Sequence, residues 1–81
     1  MATRQLTPVF TRAENGACLK ATLKDRGFFA HLEHACEPLM SCGPVISVKA
    51  VDSTETVEVI FAAGISEAEA RATLRRVTYE V

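Results

Sequence analysis

A chain of 81 residues with 48% apolar and 23% charged side chains makes one ordinary globular domain, which excludes a disordered tail or a fibrous repeat. Its formal net charge of −1 gives no global attraction to nucleic acid or to an anionic membrane surface. No apolar run approaches the roughly 18 residues of a membrane span, Met1–Leu6 lacks the apolar stretch of a signal peptide, and three cysteines do not pair into a disulfide framework. Free thiols in a reducing, cytoplasmic setting are the expectation.

Residues 1–5 read as a loose or edge segment. Leu6–Arg12 is strand-like through Val9 and Phe10, and Pro8, which cannot donate to a ladder, assigns it to a sheet edge. Asn15-Gly16 is the strongest hairpin signal in the chain and joins this strand to the next. Ala17, Leu19, Ala21 and Leu23 then alternate with Cys18, Lys20, Thr22 and Lys24, the pattern of a half-buried strand with its cysteine on the polar side. The resulting hairpin over 6–24 sets Phe10 opposite Ala21.

Asp25 is the expected cap of a helix over 26–37. Its apolar stripe is Phe28, Leu32, Ala35 and Leu39, with His31, Glu33, His34 and Glu37 toward solvent. Pro38 ends the helix.

A second hairpin spans 45–62 with Ser53-Thr54 at its tip. The alternation sets Ala50 against Val57, Val48 against Val59 and Ile46 against Phe61, and Lys49 meets Glu58 on the other face. Ser66 and Glu69 form a capping box that opens a helix over 66–77. Ala70, Leu74 and Val77 share its apolar face, and Glu67, Arg71 and Arg75 follow at four-residue spacing. Residues 77–81 alternate again as a closing strand.

From Ala17 onward the order is βαββαβ. The expected fold is α+β: a ferredoxin-like sandwich, two helices on one face of an antiparallel sheet, with an extra N-terminal edge strand. Gly43–Val48, Thr56–Phe61, Ile65–Glu69 and Val77–Val81 together resemble the second half of a heavy-metal-associated domain. That resemblance covers about half the chain and implies the ferredoxin-like fold. The family carries its metal on a Cys-x-x-Cys between the first strand and the first helix. The matching segment, Leu23–Phe29, holds no cysteine, so the resemblance implies a fold and not metal transfer.

Three candidate sites emerge from the residues. Phe29, Met40, Val45, Val51 and Ile60 lie off the expected core stripes, with Val45, Val51 and Ile60 on the open sheet face. Apolar surplus of this kind marks a contact surface. His31, His34 and Cys36 bring imidazole and thiol ligands suited to zinc or copper onto one helix. Arg71, Arg75 and Arg76 make a local basic patch that could meet nucleic acid.

No nucleophile–base pair or Gly-rich phosphate loop is present in the sequence, so catalysis is not expected, and no cofactor is called for. The leading expectation is a small soluble module that contacts a protein partner or a second copy through its open sheet face or an edge strand. A metal-binding or metal-sensing domain is the main alternative, with nucleic-acid contact a further one. A subunit of an enzyme, or a regulatory ligand-binding dimer of related topology, is another class.

Overall fold

The alternation of Leu19–Leu23 and of Val57–Phe61 yields two adjacent central strands, each with one dry face. The computed structural model describes residues 3–13 and 16–80. Its elements are β1 (Thr3–Gln5), β2 (Val9–Arg12), β3 (Leu19–Lys24), α1 (Phe29–Cys36), β4 (Val45–Val51), β5 (Thr56–Phe61), α2 (Glu67–Arg75) and β6 (Thr78–Glu80). A 3₁₀ turn over Glu37–Ser41 follows α1, and a shorter one over Asp52–Thr54 links β4 to β5. The fold is α+β.

Four strands form one antiparallel sheet in the order β2-β3-β5-β4, and β1 pairs with β6 in a separate antiparallel ribbon. A split βαβ pattern would lay the closing strand beside β3. Here β2 occupies that position. The physical reason is local: the hairpin through Gly16 delivers β2 to the free side of β3 across a short loop, at small closure cost. β5 holds the other side of β3, so β6 pairs with β1 instead. Thr3–Gln5, expected to be a loose or edge segment, is therefore a paired strand at the edge of a two-stranded ribbon.

Leu19, Ala21 and Leu23 of β3 and Val57, Val59 and Phe61 of β5 form the sheet's side of the core. Leu32 and Cys36 of α1, Leu39 of the following turn, and Ala70 and Leu74 of α2 cover them. Both helices thus pack on one face. Each fully buried Leu or Phe contributes about 1.5–3 kcal/mol relative to exposure.

The hairpin registers follow the alternation, with Phe10 opposite Ala21, Val48 opposite Val59, Ala50 opposite Val57 and Lys49 opposite Glu58. The β4–β5 turn spans 52–55, with Ser53-Thr54 at its centre, and closes on Glu55 in the left-handed region, φ 53°. Of the Asn15-Gly16 turn, Gly16 has φ +72°, and Asn15 lies outside the described residues.

One register fails. A bulge between Val45 and Ser47 sets Val45, not Ile46, opposite Phe61. The extra residue reverses the alternation at that end. Val45 enters the core, and Ile46 is 61% exposed.

The first helix also departs from expectation. It starts at Phe29 after Phe28, with no side-chain cap. Asp25 caps nothing, because its carboxylate is engaged elsewhere. The apolar stripe is accordingly rotated: Leu32, Ala35 and Cys36 are buried, Phe29 packs against the core, and Phe28 is exposed. α2 begins as its sequence requires, with the Glu69 amide donating to Ser66 Oγ at 3.1 Å.

Candidate interaction surface

The end of β3 carries the most connected polar cluster. Arg4 of β1 grips Asp25 with two parallel bonds, Nε to Oδ2 at 2.8 Å and Nη2 to Oδ1 at 2.7 Å. The Tyr79 hydroxyl of β6 donates to the same carboxylate. Asp25 is 7% exposed, so one buried carboxylate clasps both strands of the ribbon to the main sheet. Burial, then Asp25, push the Tyr79 hydroxyl up to about 12, and the bond to Asp25 raises the Arg4 guanidinium. Arg4 also lies over the Phe28 ring, 5.2 Å from its centroid. Glu55 accepts from the Gly27 amide at 3.1 Å, tying the β4–β5 turn to the same loop.

The chemistry of this loop is a structural clasp. Sequence spacing gave no sign of it, because the partners of Asp25 lie 21 and 54 residues away.

His31, His34 and Cys36 do not converge. Cys36 is 1% exposed in the core, and burial pushes its thiol up to about 12, which keeps it protonated and a poor metal ligand. His31 sits beside Phe28 with the two rings tilted by 50° and their centroids 6.0 Å apart. His34 stands in solvent, 3.5 Å from Glu37. Among the described residues no cluster of three His, Cys, Asp or Glu side chains could hold a metal ion. Cys18, expected on a polar face, is buried, and Cys42 is half-buried; none of the three cysteines is in a disulfide.

The three arginines divide between two concavities. Arg71 and Arg75 line a cavity against the segment joining β1 to β2, and Arg76 lines another, with Cys42 and Glu69.

The five apolar candidates divide as well. Val45 is in the core and Phe29 packs against it. Val51 and Ile60 remain half-buried on the open face but in different cross-strand rows. Between them runs the row Val9, Thr22, Glu58 and Lys49, with charged residues at two of its four positions. Lys20, in the row of Ile60, approaches Glu58 at 3.9 Å. The open face is therefore broken up by charge. Met40 is 69% exposed, on the 3₁₀ turn that packs against β4.

Met40 and Ile46 thus flank β4, the outermost strand, whose free side meets no other strand among the described residues. Alternate residues of an edge strand present their N–H and C=O groups outward. Lys49 on this strand is exposed and has no carboxylate within 4.0 Å among the described residues. Sequence reasoning missed Ile46 because nothing local announces the bulge that expels it.

No helix among the described residues is long and apolar enough to cross a membrane. No protein-family model, curated protein or solved structure matches the chain.

Proposed function

We propose that this protein is a non-catalytic interaction module that accepts an extended strand of a protein partner along the outer edge of β4. The observation that carries this reading is the coincidence of an unpaired seven-residue edge with two exposed apolar side chains, Ile46 and Met40, beside it. Strand addition draws its affinity from main-chain hydrogen bonds and its specificity from alternate side chains. The unpaired charge of Lys49 selects an acidic residue in the incoming strand, and Met40 and Ile46 select apolar ones. The open sheet face is the weaker surface, since the Lys49–Glu58 row divides its apolar residues. The same reading treats the fold as a ferredoxin-like sandwich in which an N-terminal strand takes the closing position, and the likeness to heavy-metal-associated domains as one of fold alone.

A second copy of the chain is the simplest strand donor. Sedimentation from micromolar to millimolar concentration, with amide mapping, tests it alongside a synthetic peptide carrying apolar residues around one aspartate. The expected result is association or peptide binding that perturbs β4 amides and is lost in Ile46→Lys. A strictly monomeric protein whose β4 amides ignore the peptide contradicts the proposal.

A further inference from the structure

Helix α2 carries two arginines one turn apart whose positions the strand-addition reading does not use. Arg71 and Arg75, with Leu74 between them, line a cavity with Gln5 at the end of β1 and Leu6 and Pro8 of the segment joining β1 to β2. Together they enclose an open-sided cavity of about 90 Å³, several times the roughly 10–15 Å³ that one water requires. Its lining combines apolar Leu6, Pro8 and Leu74 with two arginines and one carboxamide residue.

The two arginines differ in how they are held. Arg71 lies over the Phe10 ring, 4.8 Å from the centroid, and its Nε donates to Glu67 at 3.5 Å. Ring and carboxylate fix its plane and leave both terminal nitrogens without a protein partner among the described residues. Arg75, unlike Arg71, has no ion pair among the described residues. A cation in the last turn complements the helix dipole, which accounts for Arg75 alone. It does not account for both arginines lining one concave site, where the only anionic partner among the described residues is Glu67, on Arg71. The helix end opposes an anion with a charge of only about half a unit, against two full cationic charges.

We propose that this cavity binds a small oxyanion, the carboxylate or phosphate group of a small molecule, between the guanidinium groups of Arg71 and Arg75. A guanidinium presents paired N–H donors that match the two oxygens of such a group. Gln5 supplies a further amide donor, and Leu6, Pro8 and Leu74 admit a short apolar substituent. The site is independent of the β4 edge.

The test titrates the full chain with sodium phosphate and, separately, sodium butyrate, at ionic strength held constant with chloride. The side-chain resonances of Arg71, Arg75 and Gln5 report binding. The expected result is a saturable shift of these groups with at least one anion. Arg75→Gln weakens it by about tenfold or more, as loss of a charge-assisted contact requires, and Ile46→Lys leaves it unchanged. Saturation by phosphate alone assigns phosphate esters, and saturation by butyrate alone assigns carboxylic acids. Arg71→Lys, which keeps the charge and loses the fork, carries the same expectation of weaker binding should Arg75→Gln not fold. Shifts that never saturate, that chloride reproduces, or that persist in both variants overturn the proposal.

Discussion

The main sheet has two edges, and the chain treats them differently. β2 is four residues long, follows Pro8, and ends in Thr11 and Arg12. Just before it the chain leaves for the β1–β6 ribbon, which Asp25 holds in place. β4 is seven residues long, carries exposed Ile46 with exposed Met40 on the turn packed against it, and is blunted by a bulge at one end and by Lys49. Short strands, prolines and charges are the ordinary means of closing an edge. β2 uses all three, whereas Ser47–Val51 remains a regular stretch. The difference teaches that an open edge is a local property, set by a few residues, while the core beneath both edges is shared.

The largest effect comes from that shared core. Phe61→Ala removes a side chain with 0% exposure and costs about 3–5 kcal/mol, so urea melts should show both edges lost in one weakened transition. Asp25→Ala breaks the comparison on one side only. It leaves the Tyr79 hydroxyl unpaired and costs about 1–3 kcal/mol. Hydrogen exchange should accelerate in β1 and β6 and leave β4 unchanged.

Alkaline pH acts in the same direction. The Tyr79 hydroxyl is raised from 10.0 to about 12 by burial and then Asp25, and the Cys36 thiol from 9.0 to about 12 by burial. Folding favours the protonated form of each. Their contribution is therefore complete below about pH 9 and lost as pH rises toward 12. Tyr79 is the single tyrosine, so phenolate absorbance reads it directly, and Asp25→Asn should move its midpoint back toward the ordinary value. Ser66→Ala, which removes the α2 cap, should cost about 1 kcal/mol in the same melts. The smallest expected change in stability is that of Ile46→Lys, within about 0.5 kcal/mol, because the side chain stands in solvent.

Period-two alternation and the Ser66 cap made most of the secondary structure readable, because these signals act within a few residues. Both hairpin registers followed from them, except at the Val45/Ser47 bulge. What they could not reach was non-local. The pairing of Thr3–Gln5 with Thr78–Glu80 joins opposite ends of the chain, and neither segment alone is patterned enough to announce the other. Asp25 looked like a helix cap because caps are local and its true partners are distant. The bulge expelled Ile46 and drew in Val45, so the candidate surface was shifted from the sheet face to the strand edge. His31, His34 and Cys36 were adjacent in sequence, yet Cys36 serves the core. Spacing along a helix says which residues are near, and only packing decides which of them face the same way.

The account rests on β4 being the edge that accepts a strand. Its most direct test measures the binding of peptides selected from a random display library to the wild type, to Ile46→Lys and to Val9→Lys. Val9 is 64% exposed on β2 and Ile46 61% exposed on β4, so the two changes place one lysine at equally open positions on opposite edges. The account predicts peptides that perturb β4 amides, whose binding Ile46→Lys abolishes and Val9→Lys leaves intact. Loss of binding in Val9→Lys with retention in Ile46→Lys, or no selected peptide at all, contradicts it.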